Sequence, residues 1–311
     1  MPNPRQTLSY LSRRLAAAGV RPRVQYGQNF LIDLNLLELL FDTADVGPDD
    51  VVLEVGAGTG ALSTMLASVA AGVVSVEIDR NLAQIAREEL ALFENATLLV
   101  QDALKNKNRL DAAVLDAVRQ RLAEAPGRQF KLVANLPYNV ATPVISNLLS
   151  VDIVPRTMTV TIQMELAERI ASPPNTRDYS ALSVWVQSQC QVRIVRSIPP
   201  SAFWPRPNVT SAILQITFDP ALRGRIADLD FFHQFVRSMF FHRRKVLRSE
   251  LRAAYREQFD KDEVDAILQS QGLTGETRAE QLAVEQMIAL ADEVRRRLTD
   301  GATRPHSGPR D

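Results

Sequence analysis

Short apolar runs alternate with helical patterns through the middle of this chain, and this alternation restricts the fold more than any other feature. Apolar runs of strand length occupy residues 51–58, 73–79, 97–102, 130–137 and 156–163. The segments between them space their apolar residues as one face of a helix would. Strands that alternate with helices predict a parallel sheet with helices on both of its faces. Two later apolar runs, 192–198 and 211–218, are predicted to complete the sheet as a hairpin.

The pattern changes after Asp219, where strand-like runs end and glycine becomes scarce. Residues 231–298 have the spacing of several helices, which places a domain boundary near 219–228. We therefore predict four parts: a basic N-terminal arm at 1–26, an α/β domain at 27–220, a small all-helical domain at 221–300 and a disordered tail at 301–311.

Composition excludes several classes of protein. Apolar residues make up 46% and charged residues 23% of the chain, as in a folded globular protein rather than a disordered or fibrous one. The single cysteine, Cys190, excludes a disulfide framework and a cysteine-rich zinc site, and three histidines offer little for a metal centre. We predict no metal, a reducing cytoplasmic location and no membrane span, since no apolar run reaches ~20 residues.

The net charge of the whole chain is zero, but basic and acidic residues are unevenly distributed along it. Residues 1–32 contain five arginines and no acid, and residues 237–256 contain seven basic residues with Glu250 as their one acid. Two basic segments in a neutral chain indicate a surface for a polyanion, although such runs are also common on solvated surfaces. The arginine-rich, acid-poor N-terminus also has the composition of an organellar transit peptide.

A glycine-rich turn follows the first predicted strand. Gly56, Gly58 and Ala61 satisfy the pattern G-x-G-x-x-A, which allows a tight turn into a helix and close approach of a ligand to the backbone. Glu77 ends the second strand, 21 residues after Gly56, where an acid can accept hydrogen bonds from ribose hydroxyls. These residues predict a nucleoside-containing cofactor, and both NAD and S-adenosylmethionine fit them.

Polar residues at the ends of the next two strands favour S-adenosylmethionine over NAD. Asp102 ends the third strand at the carboxyl edge of the sheet, where it can accept a hydrogen bond from an adenine amino group. The fourth strand ends in Asn135-Leu136-Pro137-Tyr138. This tetrapeptide has the groups that are needed to bind an exocyclic amine.

The N6 amine of adenine is a poor nucleophile because its lone pair is delocalised into the ring. The side-chain oxygen of Asn135 and the backbone carbonyl of Leu136 can accept hydrogen bonds from its two N–H groups and so draw the nitrogen towards tetrahedral geometry. Pro137 brings no N–H of its own, and the ring of Tyr138 can stack on the base. No general base is needed before attack, so catalysis is mainly orientation in line with the methyl group. The motif therefore predicts methyl transfer to an adenine amine.

With these motifs the chain resembles the small-subunit ribosomal RNA adenine-N6,N6-dimethyltransferases, the kasugamycin-resistance methyltransferases. The resemblance covers roughly residues 20–300 and rests on GQNFLID (27–33), EVGAGTGALS (54–63), VEIDR (76–80), QDAL (101–104), NLPYNVATP (135–143), PPSAFWPRPNVTSA (199–212) and FFHRRKVLRSEL (240–251). It implies a Rossmann-like class I methyltransferase with a mostly parallel seven-stranded sheet and a small C-terminal all-helical domain. It also implies S-adenosylmethionine as the cofactor.

The resemblance assigns roles to individual residues. It implies that the cofactor is bound by Asn29, Leu31, Gly56, Glu77, Asp102 and Asn135. It implies a catalytic motif made of Asn135, Leu136, Pro137 and Tyr138. Phe203 is implied as a second stacking partner of the target base beside Tyr138, with core packing as its alternative role. The sequence departs from the family at Met164, Ser180, Val246 and Ser249, which concerns RNA contacts rather than the cofactor motifs.

Basic residues after position 240 form a further pattern. Arg244, Arg248, Arg252 and Arg256 recur every four residues, which would place them on one face of a helix. Like charges at this spacing repel one another, so the arrangement suits a helix that faces phosphates. We predict that RNA is bound by Arg243, Arg244, Lys245, Arg248 and Arg252. An exposed helix without a partner is the alternative.

The resemblance implies an enzyme that dimethylates two adjacent adenines near the 3′ end of small-subunit (16S) ribosomal RNA. The expected partner is this RNA or an immature small ribosomal subunit, and the expected state is a cytoplasmic monomer. Two alternatives also act on RNA. One is a large-subunit adenine methyltransferase of the macrolide-resistance type, and the other is a ribosome-assembly factor whose methylation is incidental or lost. An NAD-dependent enzyme is the remaining alternative.

Overall fold

The computed structural model describes residues 8–17, 19, 28–107, 109–242 and 245–302. Two compact units are present: the first runs to Glu168 and includes Gln191–Phe218, and the second comprises Arg169–Cys190 and the chain from Asp219. The sequence placed residues 169–190 in the α/β domain. In the structure they pack with the C-terminal helices, since Tyr179 is buried and its hydroxyl donates to the Leu282 carbonyl at 3.0 Å.

The strands of the described residues lie mostly in the first unit. They are β1 (Phe30–Leu31), β2 (Asp50–Val55), β3 (Gly72–Glu77), β4 (Ala96–Val100), β5 (Leu104–Asn106), β6 (Arg109–Leu110), β7 (Gln129–Asn135), β8 (Thr157–Gln163), β9 (Cys190–Ile198), β10 (Phe203–Trp204) and β11 (Ser211–Phe218).

The large sheet has, within the described residues, seven strands in the order β4-β3-β2-β7-β8-β11-β9. The first five in this order run parallel to their neighbours, and β11 pairs antiparallel with β8. Every residue of β2 and β3 is buried, as expected where helices cover both faces of a parallel sheet. The predicted mostly parallel sheet, with two later strands added at its edge, is confirmed.

The strand order reverses between β2 and β7. The chain builds outward from β2 to β4 on one side and from β7 to β8 on the other. Such a reversal leaves a crevice at the carboxyl ends of the strands, and ligands of open α/β sheets bind there. Val55 ends β2 and Asn135 ends β7, so the glycine turn and the motif that begins at Asn135 meet at this crevice.

The helices cover the sheet in the first unit and form the second. They are α1 (Leu8–Ala17), α2 (Leu34–Ala44), α3 (Ala61–Ala67), α4 (Arg80–Leu90), α5 (Ala112–Ala123), α6 (Tyr138–Leu148), α7 (Met164–Ala171), α8 (Ala181–Gln187), α9 (Pro220–Arg223), α10 (Leu229–Met239), α11 (Leu247–Ala254), α12 (Lys261–Ser270) and α13 (Val284–Ala302). Aspartate caps fix several starts: Asp33 Oδ1 accepts from the N–H of Asn35 at 3.0 Å, and Asp79 Oδ1 from that of Asn81 at 2.9 Å.

Part of the predicted basic N-terminal arm is a packed helix. Leu11 and Leu15 of α1 are at most 1% exposed and pack against α4. Arg14 forms an ion pair of 2.6 Å with Glu88. Residues 8–17 of the predicted arm therefore form a helix that packs on α4, and most of the remaining arm lies outside the described residues.

The second unit is helical, as predicted. α10 packs against α8, α11 and α13, and α12 packs against α11 and α13. Trp185 of α8 is 2% exposed and stacks on His233 of α10 with 4.2 Å between ring centroids. Through the described part of the chain, no helix has both the length and the apolarity to cross a membrane.

Candidate active site

A cleft of about 820 Å³ lies at the reversal of strand order. Its lining includes most of the residues that the sequence singled out: Asn29, Gly56, Glu77, Asp102, Asn135, Leu136, Pro137 and Tyr138. These residues are far apart in sequence, and they meet because parallel strands end at the same edge of a sheet.

The glycine turn forms one wall of the cleft. Gly56 has a φ of +88°, and a Cβ atom there would lie 3.0 Å from Cδ of Pro137. Gly58 has a φ of +57°, and its Cβ would lie 3.2 Å from the ring of Phe30. Glycine adopts this left-handed backbone freely, and the missing side chains let the turn approach Pro137 and Phe30.

Glu77 is held against the glycine turn. Its Oε2 accepts a hydrogen bond from the N–H of Gly58 at 2.8 Å, and its Oε1 accepts from the N–H of Asp79 at 2.9 Å. Burial raises the pKa of Glu77 above its ordinary value, and these two hydrogen bonds oppose the rise. A carboxylate has further lone pairs, so Glu77 can also accept from ribose hydroxyls.

A second acid, Glu54, is fully buried behind the turn. Its Oε2 accepts hydrogen bonds from the hydroxyls of Ser63 at 2.5 Å and Ser75 at 2.7 Å. Burial raises the pKa of Glu54 to about 7, although the serine hydrogen bonds lower it in part. Sequence reasoning missed Glu54. The signal was an acid between Leu53 and Val55, inside the apolar run of β2.

The other end of the cleft combines Asp102 with apolar side chains. Asp102 is exposed, and its Oδ1 accepts a hydrogen bond from the N–H of Leu104 at 2.9 Å. Ile78 and Leu82 line the same cleft, and Ile78 is 42% exposed. An apolar surface with a few placed acceptors suits a flat ring that carries an amino group.

Asn135 is oriented by a backbone carbonyl of the segment before β1. Its Nδ2 donates to the carbonyl of Asn29 at 2.9 Å. Because this bond uses the amide nitrogen, Oδ1 is the group that can accept an N–H from a bound base. The start of β1 therefore positions the side chain that the sequence predicted to be catalytic.

The rest of the motif is held by β8 and β11. The N–H of Leu136 donates to the carbonyl of Thr161 on β8 at 3.1 Å. α6 begins at Tyr138 after its cap residue, Pro137, so its helical hydrogen bonds do not use the carbonyl of Leu136. The hydroxyl oxygens of Tyr138 and Ser211 lie 2.6 Å apart in a hydrogen bond, and burial raises the pKa of Tyr138.

Two of the predicted residues lie in the core instead. Leu31 and Phe203 are paired between β1 and β10, and each is 2% exposed among apolar side chains of the first unit. Neither side chain lines the cleft. The structure thus gives Phe203 its alternative role, core packing, and not the base-stacking position predicted for it. The cause is the strand pair, which turns both side chains inward.

Sequence reasoning missed part of the lining. The missed residues are Gln28, Phe30, Val55, Val76, Ile78, Leu82, Gln101, Ala103, Asn139 and Val140. Most adjoin a predicted residue along the chain. Phe30 and Leu82 form a cluster with Leu11 and Leu15 of α1, so the N-terminal helix supports this wall. The helical spacing of those two leucines was the available signal.

The walls of the cleft fit S-adenosylmethionine. Backbone approaches closely at Gly56, where a Cβ would collide with Pro137. Glu77 offers a buried carboxylate to hydroxyl donors, and Asp102 an acceptor beside an apolar wall. These groups match the parts of such a nucleoside cofactor: a flat base, ribose hydroxyls and a chain that passes the glycine turn.

Comparison with known proteins identifies the family. The model for the family described as ribosomal RNA adenine dimethylase matches residues 19–296. The chain belongs to this family. This dimethylase is therefore a methyltransferase dependent on S-adenosylmethionine, and the predicted cofactor is confirmed.

Curated relatives match the dimethylase over most of its length. Ribosomal RNA small subunit methyltransferase A of Oceanobacillus iheyensis is 35% identical over 266 residues, which are 86% of this chain and 88% of the relative. The protein of the same name from Lachnoclostridium phytofermentans is 34% identical, over 93% of this chain and 96% of the relative.

Solved structures share the fold. A dimethyladenosine transferase from Plasmodium falciparum superposes with a TM-score of 0.69 at 21% identity, over 85% of this chain and 96% of that one. The 23S rRNA methyltransferase ErmE superposes with a TM-score of 0.58 at 25% identity, over 86% of this chain and 100% of that one. The predicted class I methyltransferase fold is confirmed.

The basic segment of the dimethylase differs from the continuous helix that was predicted. α11 begins at Leu247 and ends at Ala254, so Arg256 follows the helix. Arg243 and Arg244 lie outside the described residues. The prediction that four arginines share one helix face is therefore wrong for Arg256. Within the described residues, Arg248 and Arg252 are the two that lie on α11.

That pair, Arg248 and Arg252, differs in surroundings. Arg248 forms an ion pair with Asp265 of α12, whereas Arg252 is exposed, as is Lys245 before the helix. A phosphate must compete with the carboxylate of Asp265 for Arg248, so a phosphate contact at Arg248 contributes less to the free energy of binding. Of the described residues predicted to bind RNA, Lys245 and Arg252 are the more accessible.

Proposed function

We propose that this dimethylase methylates N6 of two adjacent adenines near the 3′ end of small-subunit ribosomal RNA and takes part in the biogenesis of that subunit in the cytoplasm. The observation that carries the proposal is the Asn135–Tyr138 motif at the cofactor cleft, with Asn135 oriented by the carbonyl of Asn29 at 2.9 Å. Relatives named as small-subunit methyltransferases, at 34–37% identity, support the choice of RNA.

The motif explains how a poor nucleophile is activated. S-adenosylmethionine, when bound, supplies an electrophilic methyl carbon. Asn135 Oδ1 and the carbonyl of Leu136 accept hydrogen bonds from the two N6–H groups, which localises the lone pair on N6. Tyr138 stacks on the base, and its hydrogen bond to Ser211 fixes the tilt of the ring. The cofactor would give up its methyl group from sulfur to N6, and the extra proton on N6 would then pass to water.

The second methyl transfer places a different demand on the same residues. N6-methyladenine has one N–H bond left, so a single acceptor of the motif holds it. Stacking on Tyr138 then accounts for more of the orientation than in the first transfer. This division of roles follows from the count of N–H bonds on the substrate.

The second candidate function is methylation of large-subunit ribosomal RNA. The structural likeness to ErmE, with a TM-score of 0.58 and 25% identity, favours it. The relatives named as small-subunit methyltransferases are more similar in sequence, at 34% identity or more over comparable coverage. We therefore favour small-subunit RNA as the substrate, within an immature subunit. The enzyme is proposed to act as a monomer.

Methyl-labelled S-adenosylmethionine tests the proposal directly. Purified protein should label immature small subunits, and mass spectrometry of their RNA should show dimethyladenosine at two adjacent positions. Label in large-subunit RNA would select the second candidate. RNA that is bound but never labelled would select the assembly factor. Small-subunit RNA from a strain that lacks the protein should lack both modified adenines.

A further inference from the structure

A second cleft, of about 1030 Å³, lies in the second unit and has no part in the chemistry above. It is formed by α10, by the turn that follows α10 and by α11, and its lining includes Arg237, Phe241, His242 and Glu250. Phe241 is 77% exposed, and among the described large apolar side chains only Leu92, at 91%, is more exposed. An aromatic ring so placed in a cleft is available to a ligand.

The ring of Phe241 is held in place. It packs at right angles to the ring of His242, with 4.7 Å between centroids and an interplanar angle of 86°. His242 Nδ1 lies 3.3 Å from Oε1 and 3.4 Å from Oε2 of Glu250, a side chain only 3% exposed. A buried acid thus anchors the imidazole, and the imidazole supports the phenyl ring. A ligand that stacks on a fixed ring loses less entropy on binding.

Glu250 gives this arrangement its strength. Of its two oxygens only Oε2 has hydrogen-bond geometry with His242, and Oε1 has no hydrogen-bond partner among the described residues. A buried carboxylate with so few partners strongly favours a donor beside it. The contact between His242 and Glu250 therefore joins the exposed turn to α11.

The surroundings of the ring are basic. Arg237 is exposed and lines the same cleft. The N–H of Lys245 donates to the carbonyl of His242 at 2.8 Å, which keeps the exposed Lys245 close to the turn. The small side chains of Ala253 and Ala254 form part of the lining. A flat ring beside cations is complementary to an unpaired base on a phosphate backbone.

We propose that this cleft binds one unpaired nucleotide of the RNA substrate, with its base stacked on Phe241 and its phosphate paired with Arg237. The inference rests on the proposed function, because it takes ribosomal RNA as the ligand. The nucleotide is not the one that is methylated, since that base stacks on Tyr138. The cleft adds affinity and register for the RNA rather than chemistry.

Phe241→Ala tests the stacking. Its affinity for immature small subunits should fall at least about fivefold, the lower end of what one stacked base contributes. A short single-stranded RNA that contains 2-aminopurine should lose fluorescence on binding the wild-type protein and keep it with the variant. Leu92→Ala is the matched control, because it removes an even more exposed apolar side chain from the first unit, and it should behave as the wild type does.

Arg237→Gln tests the phosphate contact separately. The slope of log affinity against log salt should become shallower by roughly 0.7, the share of one phosphate contact on a single strand. Phe241→Ala should leave that slope unchanged. Melting temperature and affinity for S-adenosylmethionine, measured on every variant, should match the wild type and so exclude misfolding.

The outcomes separate this inference from the proposed function. If wild-type protein methylates RNA and Phe241→Ala binds RNA and quenches 2-aminopurine equally well, the nucleotide site is overturned and the enzyme stands. If Phe241→Ala loses affinity only for a ribosomal protein, the cleft is a protein contact and the inference is likewise overturned. If the wild-type protein neither binds nor methylates RNA, the proposed function itself fails.

Discussion

In the cofactor cleft the polar side chains are fixed by neighbouring backbone groups, whereas the basic side chains of the second unit extend from the surface. Glu77 accepts from two backbone N–H groups, and Asn135 donates to a backbone carbonyl. Arg252 and Lys245 are exposed. Methyl transfer needs acceptors at fixed positions, while phosphate contacts act through charge and tolerate mobile side chains. Substitutions should therefore reduce turnover in the first region and salt-sensitive affinity in the second.

Asn135→Ala should have the largest effect. It removes the oxygen that we propose accepts a hydrogen bond from N6–H, and loss of one preorganised polar group at a reacting centre lowers kcat about 100- to 1000-fold. Affinity for RNA should persist, because the basic residues of the second unit are untouched. Single-turnover methylation of immature subunits and a filter-binding assay measure the two quantities.

Asn139→Ala is the matched control for this prediction. Asn139 also lines the cleft, but it is exposed and no role is assigned to it. Its truncation should change kcat by a fewfold at most. Equal losses of kcat in the two variants would mean that the activity depends on both amides at this edge of the cleft. That result would contradict the specific role of Asn135.

The buried acid behind the glycine turn predicts an unusual pH dependence. Burial raises the pKa of Glu54 from 4.5 to about 7. Between those values the folded protein holds a proton that the unfolded chain has lost, so the contribution of Glu54 to the free energy of unfolding falls as pH rises through this window. The fall amounts to about 3 kcal/mol and stops above pH ~7. Urea denaturation at a series of pH values measures it.

Glu54→Gln isolates that contribution. Glutamine keeps an acceptor for Ser63 and Ser75 but does not titrate, so the variant should lose less stability than the wild type between about pH 5 and 7. Above about pH 7.5 the two curves should run parallel. Glu124→Gln, at an acid whose pKa is lowered by Arg128, should not show this difference. Parallel curves for Glu54→Gln at every pH would show that the buried group does not titrate as stated.

The hydrogen bond between Tyr138 and Ser211 should matter less, since it positions a ring rather than a reacting group. Tyr138→Phe keeps the ring and removes the hydroxyl, and Ser211→Ala removes its partner. Each should lower kcat/KM about two- to tenfold, the usual worth of one hydrogen bond. The double variant should lose little more than either single one. Additive losses in methylation assays would show that the two hydroxyls act independently.

The same contrast explains how much the sequence could predict. Gly56, Glu77, Asp102 and Asn135 lie at or just after the ends of strands, and in a parallel sheet these ends converge whatever the detailed packing. Their positions at the cleft could therefore be predicted from spacing along the chain. The sheet itself was predictable for the same reason, because its signal is local periodicity.

Other features depend on partners that spacing does not reveal. Phe203 turns into the core because β10 pairs with β1, a segment far away in sequence. Leu11 and Leu15 are buried because α1 packs on α4, and without that contact the segment is a basic arm by composition. Arg248 is paired because α12 brings Asp265 beside it. In each case tertiary contact decided between two roles that the sequence allowed.

The pair on α11 offers the smallest effect and the sharpest comparison within one region. Arg252→Gln should make the salt dependence of RNA affinity shallower by roughly 0.7, one phosphate contact. Arg248→Gln should change it less, because the carboxylate of Asp265 already neutralises that guanidinium. Asp265→Asn should then steepen the dependence by freeing Arg248. If Arg248→Gln and Arg252→Gln give equal slopes, RNA displaces the carboxylate at no cost, and the ion pair does not set which arginine meets the phosphate.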